Sequence, residues 1–342
     1  MRVATYYNNR DIRVEERPRP EIGRGEILVR VEACGICGSD VMEWYRIHKA
    51  PLILGHEAAG VVEETGPGVQ GFKKGDRVAL AHHLPCGKCH YCLSGHETVC
   101  ETLRKTSFDP GGFCEFLRLS ELHVRQGVFL LPDPVSFEMG TFVEPLACVA
   151  RGQRIAGTAP GKCVLVIGSG IAGLLHVHLA HVRGARPVIA TDINAYRLDA
   201  AKRFGADACV DAKELTPDAV RRINGGRLAD VVVVSTGAPA AIQQAIQAVE
   251  RGGTVLFFAP VSGREPTAFP FNQLFWRSEI TLTSSYAATP AEYREALAMI
   301  AGGKVDLVGM ITHRFPLAGT QEGFRLVEEG RESIKVIIQP YV

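Results

Sequence analysis

The chain of 342 residues is predicted to be an α/β protein, with a β-rich barrel followed by a doubly wound parallel sheet. Up to about residue 150, short segments of alternating polarity are separated by glycine and proline turns. Beyond about residue 160, continuous apolar runs alternate with helical stretches, as in a parallel sheet covered on both faces. The first of these runs leads into GSGIAG, a glycine pattern that opens a helix in dinucleotide-binding sheets.

Strands of the first part follow from polarity and turn residues. EILVRVEAC alternates in polarity, which predicts a strand with one buried face. Residues 55–68, GHEAAGVVEETGPG, predict a strand that ends in a Gly-Pro turn, and residues 71–80 predict a loop followed by another strand. WYRIHK (44–49) between them is interpreted as a solvated basic loop.

Strands and helices of the second part alternate along the chain. The apolar runs that predict its buried strands are KCVLVIG (162–168), PVIATD (187–192), DVVVVSTG (230–237) and TVLFFAP (254–260). Residues 240–253 predict an amphipathic helix that ends at its two glycines, and residues 284–303 contain a helix that starts at proline. The last strand, IKVIIQP (334–340), fits either part.

Composition narrows the class of protein. Lysine and arginine total 38 against 37 acidic residues, so the balanced charge gives no reason to expect nucleic acid or an anionic membrane as a partner. No apolar run reaches the roughly 18 residues that a membrane span needs. The chain has ten cysteines and shows no signal-peptide pattern. This predicts a cytoplasmic protein whose cysteines bind metals or pack in the core.

A cluster of cysteines predicts a structural zinc site. The run CGKCHYCLSGHETVC has the spacing C-x2-C-x2-C-x7-C, and its thiols are Cys86, Cys89, Cys92 and Cys100. Four thiolates complete a tetrahedral zinc shell and leave no open position. An iron–sulfur cluster is the alternative, but its usual spacing has a shorter last gap followed by proline, where this chain has Glu101. The nearby His82, His83, His90 and His96 are interpreted as surface residues.

GSGIAG predicts the site of a dinucleotide, because it follows a buried strand, opens a helix and precedes an acidic residue at the end of the next strand. Asp192 would bind ribose hydroxyls and repel a 2′-phosphate, which favours NAD, whereas Arg197 would accommodate that phosphate. The predicted cofactor contacts are Gly168, Ser169, Gly170, Ile171, Gly173, Asp192, Arg197, Thr236 and Gly237.

A second set of metal-binding residue types is spread over the first part. Cys37 lies in CGICGSD, His56 and Glu57 lie in LGHEAAG, and Glu144 lies in VEPLACVA. Together they satisfy a catalytic zinc, which uses three protein ligands and one open position. Cys148, one helical turn after Glu144, competes for the third place, and Glu57 is a transient or outer ligand.

The order of CGICGSD, GHE, the cysteine lobe and GSGIAG resembles the zinc-containing medium-chain dehydrogenase/reductase family of alcohol and polyol dehydrogenases. The EP of VEPLACVA is similar to its sorbitol and threonine dehydrogenase branch. The resemblance implies two zinc ions per chain, NAD as cofactor, and Cys37, His56 and Glu144 as catalytic zinc ligands with Glu57 adjacent. It also implies that Ser39 accepts a proton from the alcohol, although the histidine that relays this proton in many members is replaced here by Met42.

The fold implied by the resemblance has two domains and a return of the chain. A GroES-like β-barrel catalytic domain covers residues 1–145 and carries the zinc lobe at about 82–104. A Rossmann NAD-binding domain covers residues 146–285, and residues 286–342 return to the catalytic domain. Members of the family commonly form homodimers or homotetramers, so self-association is expected.

The expected activity is hydride transfer between NAD and a secondary alcohol, such as a polyol, cyclitol or sugar alcohol, to give a ketone. Oxidation of L-threonine is the runner-up, together with other alcohol dehydrogenase activities. A zinc-free reductase of the same superfamily is disfavoured because both sets of zinc ligands are present. A non-catalytic NAD-binding regulator is disfavoured for the same reason.

Overall fold

The structure is a computed structural model that describes residues 1–261 and 269–342. It divides into two compact units. The first unit combines Met1–Ala147 with Ala287–Val342, and the second is the uninterrupted segment Cys148–Tyr286. The first unit is therefore built from both ends of the chain.

Strands and helices follow one another along the described ranges. The strands are β1 (Arg2–Asn8), β2 (Asp11–Glu16), β3 (Ile27–Gly35), β4 (Leu52–Ile53), β5 (Glu57–Thr65), β6 (Arg77–Leu80), β7 (Phe116–Leu119), β8 (Val128–Leu130), β9 (Val164–Ile167), β10 (Val188–Asp192), β11 (Ala208–Asp211), β12 (Ala229–Val234), β13 (Val249–Phe257), β14 (Thr281–Ser284), β15 (Ile311–Pro316) and β16 (Lys335–Gln339). The helices are α1 (Glu43–Arg46), α2 (His90–Leu93), α3 (Glu101–Lys105), α4 (Glu121–Gln126), α5 (Phe137–Gly140), α6 (Val143–Ala156), α7 (Ile171–Val182), α8 (Ala195–Arg203), α9 (Pro217–Ile223), α10 (Pro239–Ala248), α11 (Phe271–Phe275), α12 (Pro290–Ala301) and α13 (Thr320–Glu329).

The main sheet of the first unit has the order β15-β16-β3-β5-β6-β8, and β7 also pairs with β3. Its pairings are antiparallel except for β15 with β16. Strands β2, β1 and β4 form a smaller sheet beside it. The alternating pattern of EILVRVEAC is explained by β3, whose inward residues pack in a core that includes Val29 and Val31.

The second unit confirms the predicted parallel sheet. Its order is β11-β10-β9-β12-β13-β14, and every pairing is parallel. This is the order of a doubly wound dinucleotide-binding sheet, with its switch point between β9 and β12. Strand β9, which was predicted from a continuous apolar run, is fully buried, as expected for a strand covered on both faces.

One boundary predicted from the sequence is wrong. The helix predicted over residues 240–253 ends at Ala248, and β13 begins at once with Val249. Gly252, which was expected to end the helix, adopts a φ of 73° inside the strand. The glycine signal therefore marks an irregularity in β13, whose pairing with β12 shifts register there.

The last strand of the chain joins the first unit. Ile337 of β16 pairs antiparallel with Gly35 of β3. None of the helices in the described ranges has both the length and the apolar content that a membrane crossing requires.

Candidate zinc and dinucleotide sites

The cysteine lobe brings its four thiols together around one point. Within the described ranges, Cys86, Cys89, Cys92 and Cys100 form a donor group in which the sulfur atoms all lie within 4.8 Å of one another. The Sγ atoms of Cys89 and Cys92 are 3.5 Å apart, and the backbone N–H of Cys86 points at Cys100 Sγ at 3.4 Å. All ten cysteines of the chain are free of disulfides, so this approach is not a pair of bridges.

The chemistry of this group fits a divalent cation. Burial and the hydrogen bond with Cys89 raise the pKa of Cys92 to about 12. Burial would also raise the pKa of Cys100, but hydrogen bonds from the backbone of Cys86, Leu103 and Thr102 lower it to about 6. Four thiolates gathered this closely would repel one another without a cation between them, and four sulfur donors suit zinc.

A second donor group forms where the end of β3 lies beside the start of β5. Cys37 follows β3, and His56 and Glu57 lie at the start of β5, whose residue Glu57 is the register partner of Gly35. Antiparallel pairing thus places the two motifs CGICGSD and GHE side by side. Ligand atoms of Cys37, His56 and Glu57 lie within 4.8 Å of one another. Thiolate, imidazole and carboxylate are ligands that zinc accepts.

Asp40 orients this group, a role that the sequence reasoning missed. Its side chain is fully buried, and Oδ1 lies 3.3 Å from His56 Nδ1. Its Oδ2 accepts a hydrogen bond from the backbone N–H of Cys37. A carboxylate that binds one imidazole nitrogen leaves the other nitrogen available to a metal. Carboxylates often hold metal-binding histidines in this way. The available signal was the carboxylate next to Ser39 in the same short motif.

Glu57 has a partner that the sequence reasoning also missed. Its Oε2 accepts a hydrogen bond from the ammonium of Lys335, and both side chains are at most 1% exposed. Between β5 and β16 lies Gly35 of β3, where a Cβ would be 2.3 Å from Glu57 Oε2. The lack of a side chain at Gly35 makes the ion pair possible. A lysine inside the apolar run IKVIIQP was the sequence signal.

Glu144, the other predicted carboxylate ligand, lies outside the group of Cys37, His56 and Glu57. It is 7% exposed in the first turn of α6, and its Oε1 lies 3.9 Å from His82 Nδ1. The His82 ring is 4.7 Å from the ring of His56 between centroids. Cys148, the competing ligand, belongs to neither donor group found in the described ranges.

His82 therefore belongs to the site, and its interpretation as a surface residue is wrong. Its side chain is only 12% exposed, in contrast to the exposed His90 and His96. Burial, together with the neighbouring His83 and His56, holds the pKa of His82 well below its usual range. It is thus a neutral imidazole between His56 and Glu144.

Ser39 lies at the same group, half-buried. Its Oγ is 3.5 Å from Cys37 Sγ, and it accepts a hydrogen bond of 3.1 Å from Arg46 Nη2. Met42, at the place of the expected relay histidine, is the N-cap residue of α1 and makes no side-chain cap hydrogen bond. The interpretation of WYRIHK as solvated holds for the exposed Lys49 but is wrong for Arg46.

GSGIAG forms the predicted turn between β9 and α7. Gly168 has a φ of 91°, which favours glycine, and a Cβ on Gly173 would lie 1.8 Å from the carbonyl oxygen of Gly168. Ile171 is the first residue of α7 and Gly170 is its N-cap. The helix N-terminus supplies free N–H groups for the phosphates of a dinucleotide.

Asp192 and Arg197 both reach this turn from the second strand and its helix. Asp192 Oδ2 accepts a hydrogen bond of 2.8 Å from Ser169 N–H, and Oδ1 accepts one from Asn194 N–H. Arg197 Nη1 lies 3.9 Å from Asp192 Oδ2 and about as close to the position of a Cβ on Gly170. The acidic residue and the arginine thus lie together at the glycine turn.

Thr236 and Gly237 follow β12, the neighbour of β9 at the switch point of the sheet. A Cβ on Gly168 would lie 3.0 Å from Thr236 Cβ, so the two turns touch. Gly237 is also confined, since a Cβ there would lie 2.7 Å from the carbonyl oxygen of Pro260. The structure therefore gathers the predicted cofactor residues at the carboxyl ends of adjacent parallel strands.

Two family descriptions match this chain. Residues 23–133 match the alcohol dehydrogenase GroES-like domain, and residues 172–302 match zinc-binding dehydrogenase. Sorbitol dehydrogenase of Gallus gallus is 34% identical over 96% of this chain and 93% of its own length.

Solved structures of dehydrogenases are similar to this chain over nearly its whole length. Alcohol dehydrogenase TADH from Thermus sp. ATN1 is 28% identical, covers 99% of both chains and has a TM-score of 0.87. Galactitol-1-phosphate dehydrogenase from Escherichia coli is 27% identical, covers 99% of this chain and 100% of its own, and has a TM-score of 0.85. With its GroES-like and Rossmann sheets, the chain belongs to the zinc-containing medium-chain dehydrogenase/reductase family, in its sorbitol dehydrogenase-like branch.

Proposed function

We propose that this protein is an NAD-dependent dehydrogenase that oxidises a secondary alcohol of the polyol, cyclitol or sugar-alcohol class to a ketone. The observation that carries the proposal is the meeting of Cys37, His56 and Ser39 at the ends of β3 and β5. The sorbitol dehydrogenase and galactitol-1-phosphate dehydrogenase relatives support this substrate class.

The catalytic zinc is proposed to be held by Cys37, His56 and Glu144, with Glu57 adjacent. Support comes from His82, which contacts the His56 ring and lies near the Glu144 carboxylate. Glu57 is already engaged by Lys335, which favours an outer role for it. When bound, zinc supplies a Lewis acid that lowers the pKa of a hydroxyl, and the nicotinamide accepts a hydride.

The side chains of the protein then orient the substrate and move its proton. Ser39 Oγ accepts the proton of the substrate hydroxyl. Asp40 fixes the tautomer of His56 through its contact with Nδ1. The donors of the cysteine lobe, Cys86, Cys89, Cys92 and Cys100, hold the structural zinc and take no part in proton transfer.

The second unit is proposed as the NAD-binding domain and the first as the catalytic domain. Contacts to the cofactor come from Gly168, Ser169, Gly170, Ile171, Gly173, Asp192, Arg197, Thr236 and Gly237. Asp192 favours NAD, because its carboxylate would repel a 2′-phosphate, and Arg197 beside it reduces that repulsion. A homodimer or homotetramer in the cytoplasm completes the proposal; the ten cysteines without disulfides support a reducing compartment.

The test is NADH formation by the zinc-replete protein with polyols, cyclitols, sugar alcohols, L-threonine and simple alcohols. We expect turnover with a polyol-like substrate and two zinc ions per chain by metal analysis.

Ser39→Ala should lower kcat by about 10²- to 10⁴-fold, since it removes the proton acceptor. Ser94→Ala, at an exposed serine of the lobe, is the matched control. No NADH from any alcohol at full zinc content would contradict the proposal.

A further inference from the structure

Arg46 differs from the rest of its helix in where its side chain lies. Trp44 and Tyr45, the two preceding residues, are 44% and 39% exposed. The Arg46 side chain is only 14% exposed, and its Cζ lies 4.7 Å from the centre of the Tyr45 ring. The guanidinium is thus turned from solvent towards the donor group at the end of β3.

Two nitrogens of Arg46 bind the same residue. Nε donates to the carbonyl oxygen of Ser39 at 2.9 Å, and Nη2 donates to Ser39 Oγ at 3.1 Å. The planar guanidinium fixes the spacing of these two donors, so the pair of hydrogen bonds restrains both the backbone and the hydroxyl of Ser39. Asp40 Oδ1, 3.6 Å from Nη2, balances the positive charge.

The donor inventory of arginine determines how Ser39 is oriented. A guanidinium has N–H donors and no acceptor, so Ser39 Oγ must accept the hydrogen bond from Arg46. The hydroxyl hydrogen of Ser39 therefore points away from Arg46. The structure directs that hydrogen at Cys37 Sγ, over a long distance of 3.5 Å. One acceptor position of Oγ remains for the substrate, and the hydrogen reaches solvent when this long contact with sulfur is exchanged for one with water.

We propose that Arg46 is a positioning residue that fixes the Ser39 hydroxyl for proton acceptance, in a site where Met42 can relay no proton. As the substrate proton arrives at Oγ, Ser39 releases its own hydrogen to a water molecule. Oγ leaves the step neutral, and the guanidinium neither gains nor loses a proton. The catalytic consequence rests on the proposed function, whereas the orientation of Ser39 does not.

A crystal structure of Arg46→Ala tests the orientation without any turnover. We expect the Ser39 side chain to occupy more than one rotamer, because the variant removes the hydrogen bonds to its hydroxyl and to its backbone carbonyl and leaves only the long contact with Cys37 Sγ. Lys49→Ala is the matched control. Lys49 is an exposed cation of the same segment, and its ammonium also lies over the Tyr45 ring. A single Ser39 rotamer, unchanged from that of Lys49→Ala, would overturn the proposal.

Kinetics with the substrate found for the wild-type protein test the consequence. Arg46→Ala should lower kcat by about 10- to 100-fold with little change in the KM for NAD, and added guanidinium should restore part of the rate. Arg46→Lys, which keeps the charge but not the fork, should also lose rate and carries the test if Arg46→Ala does not fold. A kcat equal to that of Lys49→Ala would contradict the proposal. Wild-type protein inactive on every alcohol would count against the proposed function alone, and the rotamer experiment would still decide the role of Arg46.

Discussion

Asp40 is the fully buried carboxylate around which the second donor group is arranged. It contacts the imidazole of His56, the backbone N–H of Cys37 and the charge of Arg46. Burial would raise the pKa of Asp40, but His56 and Arg46 lower it, so the carboxylate stays ionised. One residue thus couples the proposed zinc ligand His56, the loop that carries Cys37 and the arginine that holds Ser39.

Asp40→Asn should weaken zinc binding at the second group by about 10- to 100-fold, because an amide orients and polarises an imidazole less well than a carboxylate does. The measurement is zinc retention during titration with a chelator. Asp218→Asn, at an exposed aspartate, is the control. Equal retention by the two variants would show that Asp40 does not support His56.

His176 is a buried histidine of α7 for which neither ring nitrogen has a hydrogen-bond partner in the described ranges. Burial, with a smaller effect of Arg183, lowers its pKa to about 3. The unfolded chain, with an ordinary histidine pKa, takes up this proton first as the pH falls. The stability that depends on neutral His176 is therefore present above about pH 6.5 and is lost progressively towards pH 3.

Between pH 7 and pH 5 this one group should lower the free energy of unfolding by about 2 kcal/mol. His176→Leu should remove that part of the pH dependence, which chemical denaturation at the two pH values would measure. His90→Leu, which removes an exposed histidine instead of a buried one, is the comparison variant. An unchanged slope in His176→Leu would contradict the effect of burial.

At the scale of elements, α12 shows how a helix start is specified by three residues. Thr289 is the N-cap, Pro290 is the first helical residue, and Glu292 completes a capping box. Glu292 Oε2 accepts a hydrogen bond of 2.9 Å from the backbone N–H of Thr289. These contacts satisfy N–H groups that the helix itself cannot satisfy.

Thr289→Ala should lower the free energy of unfolding by about 1 kcal/mol, with 2 kcal/mol as the upper end for a cap. Thr289→Ser keeps the hydroxyl and should retain most of that stability. Urea denaturation of both variants gives the comparison. Equal losses in the two variants would mean that the hydroxyl does not cap α12.

Local patterns predicted these elements well where the signal was local. Proline predicts the start of α12, and continuous apolar runs predict β9, β10 and β12. The start of β13 was missed, because its glycines are compatible with a helix end and only pairing with β12 distinguishes the two. The sheet that receives β16 was also left open, since a short apolar strand fits either unit.

At the site, too, local motifs carried a signal in the sequence and distant contacts did not. Motif spacing was sufficient to choose Cys37 and His56, which the structure places in one donor group, and the cysteines of the lobe, which it places in another. Lys335 is far away in sequence, and no local pattern pairs it with Glu57. Arg46 and His82 were misread because a charged or polar residue in a loop carries no sign of the surface it will face.

At the scale of the whole molecule, Glu57 and Lys335 join the two ends of the chain in one sheet. Lys335→Met would leave a buried carboxylate without its cation, which should cost about 3–5 kcal/mol of unfolding free energy. The double variant Lys335→Met with Glu57→Gln should recover much of this loss, because no buried charge remains. Denaturation of the single and double variants checks this, and equal stability of both would contradict a charge effect.

The division of the first unit into two segments has a consequence for synthesis. A ribosome completes Cys148–Tyr286 before it reaches Lys335, so the dinucleotide-binding unit is the first whose sequence is entire. Until β16 emerges, Glu57 is a carboxylate without its ammonium partner, and one edge of β3 lacks its neighbour. The nascent chain can therefore fold its Rossmann unit before the other unit receives β16.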